Sequence, residues 1–247
     1  MSARDIAYHE MMGLLGVGDL HPAGHVSTEF LLGELERTHP ESVLEVGAGV
    51  GWTTDRMLKR GWKVTPVEPS AVLARALTKR LRIPVAVGTF EDFDGAGAPF
   101  DAVIGEGAFY RLAPQPTVAK LARLLRPGGL FAVVDMTWTP SANPDVVAFI
   151  HDQTKDLFGI PMAPREVVTA STWADALRAG GFEEIVTKTI DPAAFDAAPG
   201  AQRARTAAGL LRRPYLLPLF LRYGAYNRIR WTPAGWAECW MAVWKRV

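Results

Sequence analysis

The spacing of apolar residues alternates along the first half of the chain between the pattern of a strand and the pattern of a helix. Short apolar runs predict five strands, at 43–46, 62–67, 83–87, 100–104 and 130–134. Apolar residues spaced three or four apart lie between the runs and predict helices, such as the one that Ser70 caps and that carries Leu73 and Leu77. Strands that alternate with helices need right-handed crossovers, so the pattern predicts an α/β fold with a parallel sheet.

The last third of the chain departs from this alternation. Ser171 is predicted to cap a helix before a sixth strand at 182–190, and an aromatic-rich seventh strand follows at 236–244. Because no crossover helix leads directly into the seventh strand, we expect it to be antiparallel. We predict one domain over 1–247, with a helical cap at 1–40, a core at 41–190 and 236–247, and a helical insert at 191–235.

Composition narrows the class of protein. The 247 residues are 49% hydrophobic and 21% charged, which is typical of a globular protein. Cys239 is the only cysteine, so the chain has no intramolecular disulfide and no zinc site built from cysteines, as expected in a reducing cytoplasm. His21 and His25 have no carboxylate pattern around them, so no metal site is predicted. The sequence contains no apolar leader at its start and no stretch long enough to span a bilayer, and we predict a cytoplasmic location.

The net charge of +1 hides an uneven distribution. Residues 1–196 carry 18 basic and 25 acidic side chains, whereas 197–247 carry 9 basic and 1 acidic. The insert combines seven arginines with aromatic residues, and we expect helices over an acceptor pocket with Tyr215, Tyr223 or nearby apolar side chains in its wall. Such a segment can bind an anionic apolar molecule, touch a membrane surface weakly, bind nucleic acid, or act as a solvated lid.

A glycine-rich loop directly follows the first strand. Gly47, Gly49 and Gly51 form a G-x-G-x-G pattern, and glycines allow a ligand to approach the backbone closely. A dinucleotide fingerprint has its third glycine where this chain has Trp52, which argues against NAD.

With Glu45 two residues before the first glycine, the segment resembles motif I of the class I S-adenosylmethionine (SAM) dependent methyltransferases. Glu68 after the second strand, Gly88–Asp92 after the third and Leu124–Leu130 before the fifth resemble the same family. The resemblance covers about residues 40–190 and the last strand. It implies a Rossmann-like seven-stranded sheet with helices on both faces, order 3-2-1-4-5-7-6 and an antiparallel strand 7. It also implies SAM as cofactor, with S-adenosylhomocysteine (SAH) as its product.

The family also implies roles for individual residues at the cofactor. Glu68 would bind the ribose hydroxyls, Pro69 would pack on the adenine, and the backbone of Phe90 would contact the adenine edge. The family usually has Asp where Thr89 stands, so only the backbone contact carries over securely. The full set implied for the cofactor site is Thr28, Glu45, Gly47, Ala48, Gly49, Glu68, Pro69, Thr89, Phe90, Glu91 and Glu106.

Two further segments resemble a bacterial branch of small-molecule methyltransferases. They are Ile104–Tyr110, which contains Glu-Gly-Ala-Phe-Tyr, and Leu20–Gly24, which has His-Pro-Ala-Gly where the branch has His-Pro-Gly-Gly. The branch has an N-terminal helix that roofs the cofactor and a helical insert between strands six and seven. Thr28 either hydrogen-bonds the methionine carboxylate of SAM or caps a helix at 29–36.

Three residues are candidates for the reaction centre. Glu106 follows strand four, at the sulfonium end of the implied cofactor, and either acts as a base or binds the SAM amino group. Tyr110 is expected over the methyl group. His151 is either catalytic or an ordinary histidine of its helix, and Asp135 at the end of strand five is a structural cap or a base.

The leading hypothesis is methyl transfer to an oxygen or nitrogen of a small, largely apolar acceptor that can carry negative charge. RNA methylation is an alternative that only the arginines favour, because the rest of the chain is acidic. A SAM-binding scaffold without catalysis and a dinucleotide-dependent oxidoreductase are the other readings. The sequence predicts no oligomeric state.

Overall fold

The computed structural model describes residues 6–18, 20–159, 161, 164–190, 199–226 and 236–247. Within the predicted insert, residues 191–198 and 227–235 lie outside the described residues.

One seven-stranded sheet organises the molecule, in the order β3-β2-β1-β4-β5-β7-β6. Strands β1 to β5 run parallel, and β7 pairs antiparallel with both β5 and β6. The bounds are β1 Ser42–Val46, β2 Lys63–Glu68, β3 Ala86–Val87, β4 Phe100–Glu106, β5 Leu125–Trp138, β6 Phe182–Ile190 and β7 Ala237–Arg246. The predicted fold class, strand order and direction of the last strand are therefore confirmed.

Helices surround the sheet. They are α1 Tyr8–Leu14, α2 Gly24–Glu36, α3 Trp52–Lys59, α4 Ala71–Leu81, α5 Pro114–Leu124, α6 Pro144–Phe158, α7 Ala170–Ala179, α8 Pro199–Arg212 and α9 Leu217–Tyr226. A short 3-10 helix, Pro214–Leu216, joins α8 to α9. The described part of the insert is therefore helical. No described helix is both long enough and apolar enough to cross a lipid bilayer.

Both faces of the sheet are buried, as expected when helices cover a parallel sheet on both sides. Along β4, Val103 packs into one apolar cluster and its neighbour Ile104 into the other; Phe131 and Ala132 divide in the same way on β5. Successive side chains of a strand point to opposite faces, so each strand contributes to two cores. This packing fixes the carboxyl ends of β1, β2, β4 and β5 at one edge of the sheet.

Among the element boundaries that differ from the predicted ones, three have a clear local cause. Strand β3 is shorter than 83–87, because Pro84 has no N–H to donate to a ladder. Strand β5 begins at Leu125 and not at residue 130: Phe100 pairs with Leu125, and a register shift absorbs the Pro-Gly-Gly segment inside the strand. The cap of α7 is Thr169, whose hydroxyl accepts from the Thr172 N–H in a capping box, and not Ser171.

Helix α1 is held between the rest of the domain and the insert. The Tyr223 hydroxyl on α9 donates to the Ile6 carbonyl at 3.2 Å, and the rings of Tyr8 and Tyr223 meet edge to face with centroids 5.4 Å apart. Buried residues of α1, α9 and the segments beside them form a separate apolar cluster that includes Met11 and Leu219. The insert therefore supports the N-terminal helix.

Candidate active site

A cavity of about 760 Å³ opens at the edge where β1, β2, β4 and β5 end. Parallel sheets bind ligands at this edge, because the loops that follow the strands diverge there. Its walls contain Glu45, Gly47, Ala48, Gly49, Glu68, Pro69, Thr89, Phe90, Glu91, Glu106 and Tyr110. Of the residues predicted for the cofactor and the reaction centre, Thr28 and His151 are absent from these walls.

The glycine loop after β1 is folded as the sequence requires. Gly47 and Gly49 have φ of +74° and +56°, a region that side chains with a Cβ rarely adopt. The amides of Gly47 and Ala48 both donate to the Val67 carbonyl, at 2.9 and 3.1 Å, so the loop is tied to β2. A Cβ placed on Gly49 would meet no atom within 4 Å, which leaves open space beside the loop for a ligand.

Glu68 occupies the end of β2 with both carboxylate oxygens engaged. Oε2 accepts from the Gly49 N–H and Oε1 from the Ser70 N–H, each at 2.8 Å. Burial raises the pKa of Glu68, and the two amide bonds oppose that shift. A carboxylate has about four acceptor positions, so two remain for hydroxyl donors from the cavity. The arrangement fits a ribose diol.

Glu106 at the end of β4 is held by two hydroxyl groups. Thr28 Oγ1 donates to Oε1 at 2.7 Å, and Thr53 Oγ1 donates to Oε2 at 2.6 Å. His21 Nε2 lies 3.6 Å from Oε1, and the Glu106 side chain is only 8% exposed. A carboxylate fixed in this way, in the cavity wall, fits a cationic amino group.

Thr28 is buried inside α2, which begins at Gly24 and not at residue 29. The predicted capping role is therefore wrong, because the residue lies in the second turn of the helix. Its hydroxyl is committed to Glu106, behind the cavity wall. Thr28 thus positions a site residue, and the predicted contact with a methionine carboxylate has no support from this geometry.

Glu45 lies beneath the glycine loop and is 5% exposed. The Thr54 hydroxyl donates to its Oε2. Burial, helped by the nearby Glu106 and Glu68 carboxylates, raises the pKa of Glu45 to about 8. A protonated Glu45 limits the negative charge that this end of the cavity carries at neutral pH.

The turn after β3 uses its side chains internally. Thr89 Oγ1 donates to Asp92 Oδ2 at 2.8 Å and accepts from the Asp92 N–H at 3.2 Å. The Phe90 ring packs edge to face against Phe109 in the core, with centroids 5.3 Å apart. The hydroxyl of Thr89 and the ring of Phe90 therefore have partners within the protein. The contacts that we still predict from this turn to the adenine are backbone contacts.

Tyr110 lines the cavity, and its hydroxyl donates to the Pro161 carbonyl at 2.8 Å. Burial raises the pKa of Tyr110 to about 12, so the hydroxyl stays neutral near pH 7. His151, in the middle of α6, does not reach the cavity. Tyr110 therefore lies in the cavity wall, and His151 lies outside it.

Asp135 is a structural cap, one of the two roles that the sequence left open. Its Oδ2 accepts from the Phe109 N–H at 2.9 Å, which is a structural cap on the loop after β4. Its Oδ1 is buried, has no hydrogen-bond partner among the described residues, and belongs to a side chain in the cavity wall. Burial raises the pKa of Asp135 to about 8. The backbone amides of Phe109, Ala108 and Tyr110 oppose this rise in the pKa.

The family model described as a methyltransferase domain matches residues 43–129, the stretch from β1 into β5 that carries the glycine loop, Glu68 and Glu106. This chain belongs to the class I SAM-dependent methyltransferases. Its cofactor is S-adenosylmethionine.

Curated relatives agree with this assignment. The methyltransferase is 24% identical over 190 residues to the uncharacterized methyltransferase YodH of Bacillus subtilis, covering 75% of this chain and 78% of YodH. It is 36% identical over 93 residues to the uncharacterized methyltransferase Rv3342 of Mycobacterium tuberculosis, covering 37% of this chain and 38% of that protein. The chain thus matches well under half the length of Rv3342.

Solved structures share the fold. The cyclopropane synthase MmaA2 of Mycobacterium tuberculosis has a TM-score of 0.70 at 14% identity, over 99% of this methyltransferase and 98% of that chain. Geranyl diphosphate C-methyltransferase of Streptomyces coelicolor, in complex with Mg²⁺, geranyl-S-thiolodiphosphate and SAH, has a TM-score of 0.61 at 15% identity, over 91% and 76%.

Some cavity residues of this methyltransferase were not predicted from sequence. Tyr8, His9 and Glu10 on α1 line the cavity, as does Arg111. Burial lowers the pKa of His9, and the charge of Arg111 acts in the same direction. The resemblance implied an N-terminal helix over the cofactor, but no motif marks these residues of α1.

None of the residues that the structure describes in the insert, 199–226, lines the cavity, so the predicted acceptor wall has no support from this part of the chain. Tyr215 is 54% exposed, and Tyr223 is buried against α1; neither lines the cavity. The described part of the insert packs on the side of α1 that faces away from the cavity, so α1 lies between α9 and the site.

Proposed function

We propose that this methyltransferase methylates an oxygen or nitrogen of a small, largely apolar acceptor that binds in the cavity beside Tyr110, Met136 and Asp135. The observation that carries the proposal is the cavity of about 760 Å³ at the carboxyl ends of the strands. It joins the predicted cofactor residues to a buried carboxyl oxygen that no described residue satisfies.

The chain's own contribution to the cofactor is alignment. SAM supplies an electrophilic methyl group on a sulfonium. Glu68 would hold the ribose hydroxyls, and Glu106, fixed by Thr28 and Thr53, would hold the amino group. Direct displacement depends mainly on holding the reacting atoms in line, so rigid carboxylates at two separated points suit it.

Asp135 is assigned the proton of the acceptor. An oxygen or nitrogen nucleophile loses a proton as it gains the methyl group, and the free Oδ1 can receive it. A base works best when its pKa is close to the working pH, and Asp135 has a pKa of about 8. Glu106 is the alternative base, but its two hydroxyl donors and its place in the cavity favour amino-group binding.

Arg111 extends the proposal to acceptors with a negative group. The residue lines the cavity and is exposed at its rim. A guanidinium there pairs favourably with a carboxylate or phosphate on the acceptor. RNA remains the weaker alternative, since the Glu68 and Glu91 carboxylates in the cavity walls would repel a polyanion.

Methyl-deuterated SAM with fractionated metabolite extracts tests the proposal. We expect a product that gains a deuterated methyl group on oxygen or nitrogen, identified by mass spectrometry. Asp135→Asn should lower the maximal rate by about 10² to 10⁴ while SAH affinity is kept. The matched control is Asp145→Asn, an exposed aspartate on α6 outside the cavity wall, and it should behave as wild type.

Three results would contradict the proposal. Transfer of the deuterated methyl group to a carbon of the acceptor would make the enzyme a C-methyltransferase. Transfer of this group to RNA would favour the alternative acceptor class. Tight SAH binding without transfer to any fraction would support a scaffold.

A further inference from the structure

The end of α8, the 3-10 helix and the start of α9 expose large apolar side chains close together in sequence. Leu211 is 85% exposed, Tyr215 54%, Leu217 45% and Leu221 64%. Four of the ten exposed large hydrophobic residues in the described part of the chain therefore fall in 211–221. Single exposed leucines are ordinary, but a group of them marks an interaction surface.

The inward side of α9 and of the 3-10 helix before it packs against α1. Leu216, Leu219 and Tyr223 are buried and pack with α1. Leu217 and Leu221, one turn apart on α9, share the outward face. A surface helix normally has charged or polar residues there, so α9 is apolar on a side that the described residues of its own domain do not cover.

Positive charge borders the exposed leucines. Arg212 and Arg222 are exposed and Arg213 is half-buried. From 197 to 237 the chain contains seven arginines and neither aspartate nor glutamate. We call the combined surface of Leu211, Arg212, Arg213, Tyr215, Leu217, Leu221 and Arg222 the basic leucine face.

We propose that the basic leucine face docks on the surface of an anionic lipid bilayer. A helix with leucines on one side and arginines beside them lies in the membrane interface, where leucines reach the acyl boundary and arginines meet anionic headgroups. The bilayer therefore complements both the exposed apolar area, through its acyl chains, and the excess positive charge, through its headgroups.

Other partners fit the face less well. In the common two-fold dimer the same patch meets itself, and the arginines of two copies would repel each other. Nucleic acid satisfies arginines and stacks on aromatic rings, but it offers little to exposed leucines. A lipid surface alone satisfies both components.

The place of the face in the fold gives docking a consequence. The buried side of α9 holds Ile6 through the Tyr223 hydroxyl, and the next residues, Ala7 to Glu10, line the cavity. Docking would bring the roof of the cavity towards the membrane. The inference does not depend on which acceptor is methylated.

Vesicle co-sedimentation of the full chain tests the inference. We expect binding to vesicles that contain phosphatidylglycerol and weaker binding to vesicles of phosphatidylcholine alone. Added salt should weaken binding to the anionic vesicles, because exposed charges are screened over about 8 to 10 Å near physiological ionic strength.

Two double variants separate the apolar and charged parts. Arg212→Gln with Arg213→Gln should weaken partitioning about 30-fold, since each arginine near an anionic surface is worth a factor of about five. Leu217→Gln with Leu221→Gln should weaken it roughly tenfold or more. The four side chains lie outside the cavity wall, so the melting shift with SAH should stay unchanged.

Matched controls use exposed residues elsewhere. Arg75→Gln with Arg123→Gln, on α4 and α5, removes the same charge, and Ile185→Gln on β6 removes an apolar side chain that is 48% exposed. Both controls should bind vesicles as wild type does.

The inference is overturned if wild type does not bind anionic vesicles, or if the controls lose as much binding as the variants of the face. Two other results also overturn it. One is a concentration-dependent dimer that the leucine variant abolishes, without vesicle binding. The other is binding to single-stranded RNA in place of vesicles.

Discussion

Replacing Glu68 with alanine perturbs both the fold and the proposed ribose site. The substitution leaves the amides of Gly49 and Ser70 without the carboxylate that accepts from each at 2.8 Å. A hydrogen bond to a charged group is worth about 1.5 to 3 kcal/mol. Water from the cavity can replace part of this, and the cost of burying the carboxylate disappears. We therefore expect a loss of about 1 to 3 kcal/mol in the free energy of unfolding.

Cofactor affinity should fall in addition. If the ribose hydroxyls donate to Glu68, alanine removes bonds worth about 1.5 to 3 kcal/mol, which is about a 10- to 150-fold weaker binding of SAH. Calorimetric titration with SAH gives the affinity, and chemical denaturation gives the stability. Glu68→Gln keeps one oxygen acceptor and should lose less of both.

The control is Glu36→Ala, an exposed glutamate at the end of α2 and outside the cavity wall. It should bind SAH as wild type does. If folded Glu68→Ala also keeps wild-type affinity, a different residue holds the ribose, and the assignment of β2 to the ribose end of the site is refuted.

Three further predictions follow from the same geometry. Thr28→Val should weaken SAH binding about 5- to 10-fold in calorimetry, because Glu106 loses one of two hydroxyl donors; Thr28→Ser should restore it, and equal affinity in both variants would dismiss the positioning role. Tyr110→Phe should leave the pH profile of turnover unchanged, because a hydroxyl with a pKa of about 12 stays neutral across the assay range; an altered profile would make it a proton donor or acceptor. Burial raises the pKa of Glu45 and Asp135 to about 8, so the folded state holds their protons more tightly than the unfolded state. Their stabilisation is present below pH 4 and is lost as pH rises through 8, by up to about 1.4 kcal/mol per pH unit for each group; denaturation of Glu45→Gln should show a shallower slope, and an unchanged slope would contradict the shift.

Most of the sheet and one side of the site could be predicted from the sequence. Strand and helix periods located all seven strands, and the family resemblance supplied their order. The glycine loop and Glu68 were found because local chemistry marks them: a loop that needs positive φ, and an acid directly after a strand. Errors at β3 and β5 arose where proline or glycine lies inside a strand and pairing with a neighbour, not local preference, decides the boundary.

The parts that sequence could not supply depend on distant contacts. Thr28 and Glu106 are 78 residues apart, and only the fold brings the hydroxyl to the carboxylate. The free oxygen of Asp135 and the role of α1 as cavity wall have no signature in spacing or composition. Tyr215 and Tyr223 were assigned to the acceptor wall from their composition, but the outward exposure of one and the packing of the other on α1 exclude both.

A crystal structure of the protein grown with SAH tests the central claim most directly. The account predicts the ribose hydroxyls within hydrogen-bond distance of Glu68 and the amino group within that distance of Glu106, with open space left beside Asp135 for the acceptor. Ligand density outside this cavity, or ribose and amino groups held by other residues, would contradict it.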